Sequence, residues 1–283
     1  MDLDGGAARY LLIRTRAESE RLDIQHHAFQ KNMGFLLHPA IPQQDHMRVA
    51  DIGTGTGVWL RDLAETLPKT CIFDGFDISL DQVPDIELLP TDINYYLQDA
   101  LSPFPAEFLG QYDVVHVRLL VLGLKVDEWE RAIRNLMTLL RKGGYLQWTD
   151  IEPLEGTVVP GIPGSNVDGA NRFLEQFKKA VSIQVKSGKN VAELRSHFEK
   201  CGLKDCKEDL VALDNPEYQS VVNANFVKAM EHIMQAASVV ADQVDYALPM
   251  DEISRLRESA VKTLESTKSK MRWDLYIVIG RRE

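Results

Sequence analysis

The stretch "VADIGTGTGVW", Val49 to Trp59, constrains this chain more than any other. A short apolar run that ends on an acidic residue reads as a buried strand, and three glycines at alternate positions read as a turn. The "VWLRDLAETLP" that follows puts Leu60, Leu63, Ala64 and Leu67 on one helical face before Pro68 stops it. A glycine turn between a strand and a helix can cradle a nucleotide, because backbone amides at a helix start approach a ligand closely. Two versions of that cradle are excluded. A dinucleotide fingerprint needs G-x-G-x-x-G, and position 58 is valine where the third glycine would stand. A Walker loop needs lysine followed by Ser or Thr, and "GTGTGVWL" has neither. The turn therefore suits a ligand carrying little phosphate charge.

Downstream, strand and helix patterns alternate. "CIFDGFDIS", "INYYLQDAL" and "QYDVVHVRLL" read as strands two to four. Asp127 and Glu130 resemble a capping box ahead of a helix that "RKGG" ends, and "GYLQWTDIE" reads as strand five. Alternation with short links predicts a mostly parallel sheet covered on both faces. Before this core, a helix is predicted over about 9–36. After it, "EPLEGTVVPGIPGSN" reads as a long loop. A helix carries Phe173, Phe177 and Val181 in phase, and another is capped by Asn190 and Glu193. "LKDCKEDLVAL" is a sixth strand, long helices start at Pro216 and near Met250, and the apolar "WDLYIVIGRR" is a final buried strand.

Three carboxylates fall at three successive strand ends. Asp51 suits an ammonium group. Asp77, 20 residues beyond Gly57, is placed to accept from ribose hydroxyls, and Asp99 from an exocyclic adenine amine. Together they describe an adenosine with an amino-acid tail. With these residues, the sequence resembles the class I S-adenosylmethionine-dependent methyltransferases. Their acidic residue followed by G-x-G-x-G is matched by Asp51, Gly53, Gly55 and Gly57, their ribose-binding acid by Asp77, and their adenine-site segment by Gln98, Asp99 and Ala100. "ESERLDIQH", "YDVVHVRLL" and "KGGYLQWTDIE" look like fungal secondary-metabolite methyltransferases, a likeness covering most of the chain to about Glu152.

The resemblance implies an α/β Rossmann-like seven-stranded sheet of order 3-2-1-4-5-7-6, with strand 7 antiparallel and a helical cover over the site. It implies S-adenosyl-L-methionine as cofactor, with Thr54 and Ile78 among its contacts and Tyr10 at its methionine carboxylate. It also divides the chain into a helical cover over 1–44, a cofactor-binding core over 45–152, and a stretch over 153–283 that completes the sheet and inserts lid helices, all in one compact unit.

For the chemistry itself, His116, His26 and Asp150 are the candidate bases, while Trp148, Glu152 and Arg118 are candidates for binding the acceptor. His116 and Arg118 share one side of their strand by its period of two. The expected reaction is methyl transfer to an oxygen, nitrogen or sulfur of a small, natural-product-like acceptor. The alternative is a related protein that binds the cofactor without methyl transfer, as a regulatory partner or a rearrangement catalyst.

Composition limits the partners. With 32 basic and 42 acidic residues, the net charge of -10 repels a nucleic-acid backbone. No apolar run is long enough to span a membrane. Three cysteines without metal-type spacing fit a reduced, cytoplasmic setting.

Overall fold

The computed structural model describes residues 15–84, 93–184, 190–239 and 248–283. Its central strands form where apolar, β-branched residues recur on both faces, as in β1 and β4. β1 (Arg48–Ile52), β2 (Ile72–Asp77), β3 (Ile93–Leu97), β4 (Tyr112–Arg118) and β5 (Leu140–Ile151) lie parallel, and β1 is flanked by β2 and β4. β9 (Asp274–Arg281) pairs antiparallel with both β5 and β7 (Lys204–Ala212), giving the order β3-β2-β1-β4-β5-β9-β7. Counting only the strands of this sheet, the order is 3-2-1-4-5-7-6 with the last strand in sequence antiparallel, as expected.

The period of two divides the core. Val49 and Val114 point to a cluster under α2 (Val58–Thr66), together with Trp59, Leu60 and Phe73. Ala50, Ile52, Val115 and Val117 point to the larger cluster on the other face. There α3 (Trp129–Leu139) buries Trp129, Ile133 and Leu136. The same cluster reaches α4 (Asp168–Gln184), α5 (Leu194–Cys201), α6 (Gln219–Val239) and α7 (Met250–Thr267), and takes in Ala28 and Phe29 of α1 (Arg16–Met33).

Three local expectations change. "RKGG" does not cap α3, which stops at Leu139; the two glycines lie inside β5, where the register with β4 shifts between Tyr112 and Val114. Gly143 takes φ +82, and a Cβ on Gly144 would sit 2.7 Å from the Tyr112 carbonyl, so this is a bulge that only glycine fits. Neither capping box forms: α3 and α5 start after Glu128 and Glu193, and neither residue makes a side-chain cap bond. The long loop after β5 contains β6 (Thr157–Val159), paired antiparallel with β8 (Lys270–Arg272), a partner more than a hundred residues away that no local pattern indicates.

Candidate active site

The cleft opens at the carboxyl ends of β1 to β4, where the strand order reverses between β1 and β4 and open α/β sheets bind ligands. It is an open cleft, with about 1240 Å³ of space between its walls when the solvent at its mouth is counted. Gly53, Gly55 and Gly57 carry the chain through φ of +70, +55 and +72. Gly57 is the most constrained, since a Cβ there would sit 2.2 Å from the hydroxyl of Tyr95. The turn is tied to β2: Gly53 and Thr54 donate to the Phe76 carbonyl, and the Gly55 amide donates to Asp77 Oδ2 at 2.9 Å. Asp77 Oδ1 accepts from the Ser79 amide at 3.2 Å.

Of the expected cofactor set, Asp51, Gly53, Thr54, Gly55, Asp77, Ile78, Gln98, Asp99 and Ala100 line the cleft. Gly57 begins α2 just behind them, and Tyr10 lies outside the described residues. Gln98 braces the loop after β3, donating to the carbonyls of Asp99, Ser102 and Pro103. Asp99 Oδ1 accepts from the Leu101 amide at 2.8 Å.

His116 and Arg118 line the same cleft. His116 Nδ1 lies 2.7 Å from Asp51 Oδ1, while Asp51 Oδ2 accepts from Thr54 Oγ1 at 2.8 Å. The imidazole stacks on Trp59 with ring centroids 3.7 Å apart. Burial lowers the His116 pKa even though the hydrogen bond and charge of Asp51 act to raise it, so the neutral ring is favoured. Nδ1–H then points at Asp51, and Nε2 is the nitrogen left to accept a proton.

The other chemical candidates are placed differently. His26 is fully buried outside the cleft wall with both nitrogens engaged, by Arg118 Nη1 at 2.8 Å and Asp62 Oδ2 at 2.9 Å. In this arrangement its Nδ1 lone pair is taken up by the Arg118 guanidinium. Asp150 is also withdrawn: its carboxylate accepts from the amides of Leu120, Val121 and Ile151 and from Trp148 Nε1. It anchors the turn after β4, whose first residue, Leu119, is held at φ +53, and that turn forms a wall of the cleft. Trp148 is fully buried and stacks on Trp129, so it faces the core instead of an acceptor. Glu152 is buried outside the cleft lining as well.

Several contributors were not expected. Leu22 and Gln25 of α1 and Leu119, Leu120, Gly123 and Leu124 after β4 line the cleft. Asp23 of α1 accepts from Thr56 Oγ1 and from Arg61, latching α1 onto the glycine turn. The amphipathic character of α1 is too weak to single these residues out.

A seven-stranded sheet of this order, with a glycine turn and acidic strand ends around one cleft, defines a Rossmann-like, nucleoside-binding α/β protein. The family described as "Methyltransferase domain" matches residues 24–173, and the chain belongs to it. Similar proteins include the methyltransferase grgD of a Penicillium species, 34% identical over 180 residues that cover 59% of this chain and 60% of that protein. The N-methyltransferase tcpN of Claviceps purpurea is 33% identical over 137 residues, 47% of this chain and 49% of its own length. The N-methyltransferase gliN of Aspergillus fumigatus is 26% identical over 255 residues, 82% and 83% of the two chains. The chain thus spans about half to three fifths of the first two relatives. Among solved structures, a Haemonchus contortus phosphoethanolamine N-methyltransferase 2 in complex with phosphomonomethylethanolamine and S-adenosylhomocysteine shares the fold with TM-score 0.55 at 16% identity, over 98% of this chain and 60% of that one. No described helix is long and apolar enough to cross a membrane.

Proposed function

We propose that this protein transfers a methyl group from S-adenosylmethionine to a nucleophile, with nitrogen favoured over oxygen or sulfur, on a small and largely apolar acceptor. The observation that carries the reading is the junction of turn and strand end. A glycine loop with three positive φ values is held by the same Asp77 carboxylate that faces the cleft. Side chains in place of Gly53 and Gly55 would stand in that cradle, so the residues present fit a nucleoside with a short tail. Nitrogen is favoured because relatives such as tcpN and gliN carry the N-methyltransferase name.

When bound, the cofactor supplies a methyl carbon made electrophilic by the sulfonium. The chain then has to orient, exclude water and remove one proton. Asp77 and Asp99 offer carboxylate oxygens to ribose and adenine. The leucines at 119, 120 and 124, with Leu22, provide apolar wall. His116, oriented by Asp51, is the group suited to take a proton at Nε2.

The test is calorimetry with S-adenosylhomocysteine. Asp77→Ala is expected to weaken binding at least tenfold, since hydrogen bonds to a charged acceptor contribute about 1.5 to 3 kcal/mol each. Asp77→Asn, which keeps an acceptor for the Gly55 amide, should lose less. Unchanged affinity in Asp77→Ala would sink the cofactor assignment. A panel of amine acceptors followed by mass spectrometry tests transfer itself; tight cofactor binding with no methylated product would favour the non-transferring alternative.

A further inference from the structure

Arg118 stands on the cleft wall as a guanidinium without a close counter-ion among the described residues. Its Nη1 donates to a neutral imidazole, His26 Nδ1, and no carboxylate among the described residues lies within ion-pair distance. Asp51, Asp62 and Asp23 attract it only from farther away. Each of them already holds other donors: His116 and Thr54 on Asp51, His26 on Asp62, Thr56 and Arg61 on Asp23. A desolvated charge without a paired opposite charge is costly, and burial here pushes the Arg118 pKa down. Such a cation favours an anionic ligand, and its planar fork matches a carboxylate.

His26 determines where that fork points. Because Nδ1 accepts from Arg118, the ring proton must sit on Nε2, which donates to Asp62 Oδ2 at 2.9 Å. Burial and the positive charge of Arg118 push the His26 pKa down to about 2, so the ring stays neutral and the tautomer is fixed. The three residues come from three elements: Arg118 from the end of β4, His26 from the covering helix α1, and Asp62 from α2. The guanidinium is therefore aimed correctly only when α1 is seated.

Position supplies the ligand. β4 is paired with β1, Val117 opposite Ile52, so Arg118 follows directly beside the start of the glycine turn. Asp77 and Asp99, at the ends of β2 and after β3, lie on the opposite side of that turn. An adenosine held there sends its amino-acid tail across the glycines toward β4. Resting on the cofactor reading above, we propose that Arg118 binds the carboxylate of that tail, and that His26, fixed by Asp62, is a positioning residue that couples this contact to the docking of α1.

The test compares two ligands by calorimetry: S-adenosylhomocysteine and its decarboxylated analogue, identical except for the missing carboxylate. In the unmodified protein the first should bind more tightly. Arg118→Gln should weaken S-adenosylhomocysteine about tenfold or more while moving the analogue less than about twofold. Arg118→Lys, which keeps the charge but not the fork, should fall between. His26→Leu should lower the preference for the carboxylate although it touches no ligand, and the double variant should lose little more than Arg118→Gln alone. General loosening of the fold would weaken both ligands alike, and that result, or no change in either, overturns the proposal. An unmodified protein that binds neither ligand overturns the cofactor reading itself, and this inference with it.

Discussion

Glu152 follows the last residue of β5, is 1% exposed, and makes no well-aligned hydrogen bond to a described residue through either carboxyl oxygen, although the amides of Val191 and Leu154 lie near it. Burial pushes its pKa up from 4.5 to about 7, the amides of Val191 and Leu154 oppose the shift, and Glu155 adds to it. Between those two values the folded protein keeps a proton that the unfolded chain has lost. This group's contribution to stability therefore falls as pH rises from about 4.5 to about 7 and is level above that. Glu152→Gln removes the titration. Thermal melts should match the parent near pH 4 and exceed it by a few degrees near pH 8; equal melting temperatures at both would refute this. Asp150 is also pushed up to about 7 by burial, but it is common to both proteins and cancels in the comparison. Asp77 was legible in the sequence because its role depends on a glycine turn and a strand end close by in the chain. The partners of His26 and Asp150, namely Arg118, Asp62 and the turn after β4, were not legible, because they come together only in the fold.

Helix α1 is attached to the rest of the molecule by polar contacts as much as by apolar ones. Glu18 and Arg21 form a buried pair, 2.6 Å between Oε1 and Nη2. Arg21 also donates to Asn225 of α6 at 2.8 Å, and His232 of α6 lies 3.0 Å from Glu18. Burial acts to raise the Glu18 pKa, but the hydrogen bonds from His232 and Arg21 outweigh it and hold the carboxyl below its usual range. Removing one partner of such a pair strands the other without water. Arg21→Met is expected to cost about 3 kcal/mol, and the paired change Glu18→Gln with Arg21→Met less than that. Denaturant titrations of the parent, Arg21→Met, Glu18→Gln and the double variant check this, and a double variant as damaged as the sum of the two singles would contradict it. The helix itself was predictable from its pattern; its burial of a charged pair against α6 was not, since "ESERLD" reads as a solvated face.

At the level of the whole chain, one apolar cluster runs from Ala28 and Phe29 through β4 and β5 to α4, α6, α7 and β9, crossing the boundaries drawn at 44 and 152. Trp129, Trp148 and Trp273 lie in it, and Trp59 lies in the cluster on the other face. The expected outcome is a single cooperative transition. Tryptophan fluorescence and far-ultraviolet circular dichroism should give coincident unfolding curves in denaturant, whereas separated curves would mean that the cover or the final third unfolds alone.

The sequence alone determined the glycine turn and the acidic strand ends and, through the family likeness they carry, the sheet order. The first two rest on short-range patterning, in which a period of two, a period of 3.6 and a few glycines act within one strand-turn-helix unit, while the order of strands rests on the likeness alone. Tertiary structure alone decided the surroundings of the remaining polar candidates. Arg118 is turned into the cleft and held by a helix some ninety residues earlier, and Asp150 is turned away by backbone amides thirty residues earlier. For a carboxylate or an imidazole, the partner that completes its hydrogen bonds decides whether it does chemistry or builds structure, and here those partners meet only through folding.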